Sequence, residues 1–241
     1  EAIKKKGENP NLLKSLAWDL GCGSGILSIF ASKYYDKIES IDLDPRTIQC
    51  AKENTKDYPN IQIINTDSTQ HDYQKIPDLI ICEMLDTALI EEEEVLTFNQ
   101  LHENLKSYTE IIPYGIINKI EPVNMEASII MYEDLESQPK YEIIGKSEIY
   151  DKIRFKDYIN PLFNKDITLT MSENTKFNGV KITTYTLLDE NLICGPTPML
   201  NPELLIPLDK NIEVKVDEKV KINLSYTMGQ GLETLKIKTI K

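Results

Sequence analysis

Two observations predict an α/β fold in two parts. Short apolar strands alternate with longer amphipathic helices over the first half of the 241-residue chain, and short polar–apolar strands punctuated by turns fill the second. The first pattern is that of a parallel sheet with helical crossovers over residues 1–112. The second is that of an antiparallel, all-β unit over 113–241. The composition, 41% hydrophobic and 27% charged, suits a folded chain long enough to bury a core. No apolar run approaches the roughly 20 residues of a membrane helix, so no membrane partner is expected.

Leu16–Leu20 reads as the first strand, followed by a glycine-rich turn and helical spacing from Ile26 to Tyr35. Ile38–Ile41 is the second strand. Pro45–Thr55 suits a helix, with Pro near its start and Asp44 as cap. Ile61–Ile64 is the third strand. Asp78–Cys82 is the fourth, apolar enough to be buried on both faces. A helix is expected over Glu92–Leu105. The grammar changes near Ile111–Gly115. Strands are then expected at 116–120, 128–132, 167–171, 180–187, 212–216, 220–226 and 235–240. Residues 181–186 and 219–226 alternate polar and apolar side chains, the signature of a half-buried antiparallel strand.

The net charge is −12, of which −9 lies in residues 1–110. The stretch 76–105 has no Lys or Arg and holds Asp78, Glu83, Asp86, Glu91, Glu92, Glu93, Glu94 and Glu103. Such acidity disfavours a broadly basic nucleic-acid binder. The four cysteines form no metal-ligand spacing and no metal is expected. Reduced thiols and a cytoplasmic location are the default.

Asp19-Leu20-Gly21-Cys22-Gly23-Ser24-Gly25 lies between a strand and a helix. Glycines there make a tight turn and let a ligand approach the backbone. Ile26 stands where a dinucleotide fingerprint wants glycine. A carboxylate at Asp19 suits the amino group of a cationic ligand better than a pyrophosphate. Asp42, ending the second strand and followed by Leu43, can accept hydrogen bonds from ribose hydroxyls. Asp67 and Ser68 follow the third strand.

This succession resembles the class I S-adenosylmethionine-dependent methyltransferases over residues 12–112. The resemblance implies a Rossmann-like sheet. It puts the methionyl part of the cofactor near Asp19 and Gly21, its ribose on Asp42 and its adenine near Asp67 and Ser68, counts Cys22, Gly23, Gly25 and Leu43 among the cofactor-binding residues, and gives S-adenosylhomocysteine as product. After the fourth strand, Cys82-Glu83-Met84-Leu85 is similar to the double-Glu loop of protein arginine methyltransferases, whose second Glu follows nine positions on. Glu83 and Glu92 stand in those positions, and 25–31 (GILSIFA) resembles that family's first helix. That family continues after an Ile-Pro into a β-barrel, as Ile112-Pro113 here would. Its barrel Thr-His-Trp has no match, and Thr197-Pro198-Met199-Leu200 occupies the place.

Paired carboxylates have a chemical reason. A guanidinium is planar, permanently charged and matched to carboxylates, so two of them hold it in line with a sulfonium methyl. Glu83 and Glu92 are therefore the candidate catalytic pair, while Glu91, Glu93 and Glu94 read as solvated acids at a helix start. A protein or other cationic acceptor is the leading expectation. RNA is the second, a catalytically silent cofactor-binding module the third, and a homodimer is compatible with the sequence.

Overall fold

Five strands of the first half pair in parallel in a computed structural model, which describes residues 1–102 and 105–240. They are β1 (Leu16–Leu20), β2 (Lys37–Asp42), β3 (Ile61–Asn65), β4 (Leu79–Cys82) and β5 (Glu110–Ile112), in the order β3-β2-β1-β4-β5. Four helices accompany them: α1 (Ala2–Glu8), α2 (Ile26–Ala31), α3 (Pro45–Thr55) and α4 (Glu94–Leu101). The strand order reverses between β1 and β4, and in such sheets ligands bind in the crevice beyond the carboxyl ends of the strands at that switch point. Leu20 pairs with both Ile41 and Cys82, so the chain leaves β1, β2 and β4 at one level. The Gly21 turn thus sits between Asp42 and Glu83. Burial of β4 on both faces is as expected, with all four residues inside.

The second half is antiparallel. Its strands are β6 (Gly115–Met125), β7 (Met131–Glu133), β8 (Tyr141–Ile143), β9 (Glu148–Arg154), β10 (Leu162–Thr170), β11 (Thr175–Asp189), β12 (Leu192–Cys194), β13 (Glu203–Val214), β14 (Lys219–Thr227) and β15 (Lys236–Ile240). A seven-stranded sheet runs β7-β13-β11-β6-β8, with β12 beside β11 and β9 beside β6, and β10-β14-β15 form a second sheet. One continuous core joins the halves, from Leu20, Ile80 and Phe98 to Ile120, Phe177 and Leu224. Among the described residues no helix is long and apolar enough to cross a membrane.

Several expectations need correction. The helix from Ile26 stops at Ala31 rather than Tyr35. There the Ser32 hydroxyl folds back onto the Ile29 carbonyl at 2.8 Å, the local competition that makes Ser a poor helix continuer. The helix expected over Glu92–Leu105 begins at Glu94 and ends at Leu101, and Glu103 lies outside the described residues. Residues 2–8 form α1, whose Gly7 packs against the Tyr34 ring with no room for a Cβ. Residues 181–186 are not half-buried: β11 is central, and Lys181, Thr183, Thr184 and Thr186 are all buried. Lys181 tolerates this because Glu203 and Glu121 meet its ammonium at 2.8 and 3.2 Å. β5, β8, β9 and β12 are strands that pattern alone did not mark, three of them only three residues long.

Candidate active site

The glycine turn after β1 needs its glycines. Gly21, Gly23 and Gly25 all have φ between +52 and +79°, in the left-handed region. A Cβ on Gly21 would come within 2.7 Å of the Met84 side chain, whereas one on Gly23 would meet nothing within 4 Å. The turn is thus closed by the loop after β4 at Gly21 and open for a ligand at Gly23. Cys22 ties it to β2 through its N–H and the Ile41 carbonyl at 2.9 Å.

Asp42 holds the turn from the other side. One oxygen accepts the Gly23 N–H at 2.9 Å. The other accepts the Asp44 N–H at 2.9 Å and the Thr47 hydroxyl at 2.7 Å. The oxygen with a single partner retains a lone pair for a ribose hydroxyl. Leu43 beside it is 63% exposed. Asp19 is 1% exposed and accepts the Ser28 hydroxyl, which also meets Ser40 at 2.7 Å. Burial pushes the Asp19 carboxyl up to about 6, with Asp42 and Glu83 adding to the rise and the Ser28 bonds opposing it. Asp67 closes on its own turn, accepting from Thr69 N–H at 2.8 Å and from Gln70 at 2.8 Å. Ser68 meets Thr97 of α4 at 3.2 Å.

At the end of β4, Cys82 is fully buried, as a small core residue should be. Glu83 is half-buried, and burial, followed by the charge of Glu92, raises its carboxyl, against the Leu85 N–H. It lines a cavity of about 160 Å³ between the two sheets, otherwise formed by apolar and small polar side chains that include Ile3, Leu27, Leu188, Thr197 and Leu200. The Thr197–Leu200 segment therefore reaches the same cavity as Glu83. Glu92 is exposed and is not among that cavity's lining residues.

Two acids that looked solvated or unremarkable are interior. Glu94 is 0% exposed, a correction to its reading as a solvated helix-start acid. It is the first residue of α4 and turns toward the loop after β4. One Glu94 oxygen accepts the Met84 N–H at 2.9 Å. Asp86 accepts the N–H groups of Ile90, Glu91 and Glu92 at 2.9, 3.0 and 3.4 Å. Burial pushes its carboxyl up to about 7, opposed by those three bonds. Sequence reading missed both roles. The absence of any base in 76–105 was the one available signal.

The residues present fit S-adenosylmethionine: an open cradle at Gly23, a free lone pair on Asp42, and buried acids at the ends of β1 and β4 for a cationic ligand. A model of the ribosomal protein L11 methyltransferase (PrmA) family matches residues 5–139, more than half of the chain. A Methanothermobacter thermautotrophicus protein, described only as uncharacterized, is 39% identical over 227 residues, covering 94% of this chain and 88% of that relative. The ribosomal protein L11 methyltransferase of Campylobacter lari is 33% identical over 107 residues, covering 43% of this chain and 35% of that enzyme. Among solved structures, the Trypanosoma brucei PRMT1 enzyme–prozyme heterotetramer with AdoHcy matches with a TM-score of 0.76 at 17% identity. The match covers 92% of this chain and 81% of that one, and at that identity the likeness is one of fold. With the parallel sheet, the glycine turn and the acid-lined crevice in place, the chain belongs to the ribosomal protein L11 methyltransferase (PrmA) family of S-adenosylmethionine-dependent methyltransferases.

Proposed function

We propose that this methyltransferase acts on a cationic nitrogen of a protein acceptor, held at the end of β4 by Glu83 with Glu92 as the second carboxylate. One observation carries the reading: Glu83 is the carboxylate lining a narrow apolar cavity between the sheets, with no Lys or Arg in that lining. A side chain with an apolar stem and a cationic head fits such a cavity. The named relative in Campylobacter lari, a ribosomal protein methyltransferase, supports a protein acceptor.

S-adenosylmethionine supplies an electrophilic methyl on a sulfonium. Bound at the glycine turn, it would give that methyl to a nitrogen with an available lone pair, a guanidinium nitrogen or a deprotonated amine; sulfur would keep the C–S electron pair and the surplus N–H proton would pass to solvent. Glu83 orients the acceptor nitrogen toward that methyl and keeps the cation's charge compensated while the cavity walls exclude water. Half-burial of Glu83 raises its carboxyl, and an entering cation would reverse that rise. Glu92, nine residues on, is exposed and outside the cavity lining, so its part in this reading is to meet the acceptor at the surface.

The test uses radiolabelled cofactor with whole-cell lysate. Wild type is expected to label protein in a ribonuclease-resistant way, and Glu83→Gln to lose about a hundredfold in rate or more. Equal labelling by Glu83→Gln would overturn the carboxylate's role. Label that disappears with ribonuclease would replace the protein acceptor by RNA.

A further inference from the structure

We propose that Glu94 is the charge by which this enzyme distinguishes S-adenosylmethionine from S-adenosylhomocysteine. The inference concerns the cofactor and holds whatever the acceptor is. Glu94 is 0% exposed. One carboxyl oxygen accepts the Met84 N–H at 2.9 Å, and Oε1 has no hydrogen-bond partner among the described residues. An orphaned, fully buried carboxyl oxygen costs free energy unless a ligand compensates it.

Its position is that of the cofactor crevice. Met84, whose N–H it holds, packs on Gly21 of the glycine turn. Three residues further along α4, Thr97 meets Ser68. The start of α4 therefore lies along the crevice between the glycine turn and the turn after β3. Burial raises the Glu94 carboxyl most, then the charges of Glu83 at the end of β4 and of Asp86 in the loop that follows, while the Cys82 thiol, a weak donor, opposes the rise. The carboxyl stands well above the usual range, so the neutral form is favoured until a cation comes near.

The two forms of the cofactor share every polar group and differ by one methyl and one positive charge on sulfur. In a poorly solvated interior a carboxylate acts on such a charge over several ångströms without contact. The sulfonium form therefore favours ionised Glu94 and releases its proton to solvent. Once the methyl has left, the sulfur is neutral, Glu94 recovers a proton from solvent, and the attraction that held the cofactor is gone. Product release is built into the same side chain.

Isothermal titration of both cofactor forms, in buffers of different ionisation enthalpy, tests this with no acceptor present. Wild type should release more protons with S-adenosylmethionine than with S-adenosylhomocysteine. Protons lost from Asp19 or Asp86 on account of the shared amino group cancel in that difference. Glu94→Gln, a neutral isostere of the protonated form, should abolish the difference and lower the affinity ratio of the two forms by about tenfold or more. An unchanged ratio in Glu94→Gln would overturn the proposal. So would equal proton release by both ligands in wild type, a measurement that needs no variant.

Discussion

At the scale of single residues, three buried carboxyls beside the crevice are raised. Asp19 is pushed to about 6 and Asp86 to about 7, and Glu94 lies well above its usual value, each chiefly by burial. The consequence for stability has a definite sign. Between the unfolded value, about 4 for a carboxyl, and the raised folded value, the native state holds a proton that the unfolded chain has released. Stability is therefore full below that window and falls as pH rises through it. The Asp19 contribution is lost by about pH 6 and that of Asp86 by about pH 7. Ligand-free protein is expected to melt lower at pH 8 than at pH 5. Glu94→Gln removes one of these costs, so it should melt above wild type at pH 8, by about 2–4 °C per kcal/mol recovered, and by less at pH 5, near the lower end of the window. A variant that melts lower at both pH values would mean that Glu94 is a structural acceptor alone.

At the scale of the element, the loop from Asp86 to Glu92 is the most constrained segment near the site. Ala88 and Leu89 both sit at φ of 59°, a left-handed conformation that side chains disfavour. The Asp86 carboxylate gathers the three following N–H groups, and the Ala88 N–H donates to the Thr184 hydroxyl at 2.8 Å. Leu89 and Ile90 carbonyls accept from Gly229 and Gly231 at 3.0 and 2.9 Å. Asp86→Ala leaves those N–H groups without their acceptor and is expected to cost about 1–3 kcal/mol. Amide exchange should speed up at 90–92 and stay unchanged in α3. Uniform acceleration across the chain would show that Asp86 supports global stability rather than this loop.

At the scale of the whole molecule, the antiparallel half braces the carboxyl end of the parallel sheet. Phe98 of α4 stacks on Phe155 with ring centroids 5.0 Å apart. Asn99 exchanges two hydrogen bonds with the Ile159 backbone, at 2.7 and 2.9 Å. The Thr87 hydroxyl reaches the Pro202 carbonyl. Because the core is continuous across both halves, a fragment of residues 1–112 is expected to lack a cooperative thermal transition followed by circular dichroism. A cooperative melt together with cofactor binding by that fragment would refute the dependence.

Legibility in the sequence follows the range of the forces involved. The parallel strands, the Asp44 cap, which accepts the Arg46 N–H at 2.8 Å, and the glycine turn are local. Periodicity, side-chain reach and backbone conformation express them within a few residues. Alternation in β14 also came through, since its inward residues at 220, 222, 224 and 226 are all buried. Alternation in β11 misled, because the face carrying Lys181 and Thr183 is covered as well, with Glu203 of the neighbouring β13 accepting from both at 2.8 Å. Glu94 was illegible for the same reason. A run of four glutamates has no internal mark of which one turns inward, and that depends on where α4 starts once the Asp86 turn has formed. The sequence by itself determined the α/β class and the acidic character of the crevice, which rest on short-range pattern and composition, and through its motif resemblance the cofactor. Only the tertiary structure decided that Glu83 lines a cavity closed by the Thr197–Leu200 segment and that Glu94 is interior. Both are contacts across long sequence separations, where packing and desolvation, rather than spacing, assign each carboxyl its environment.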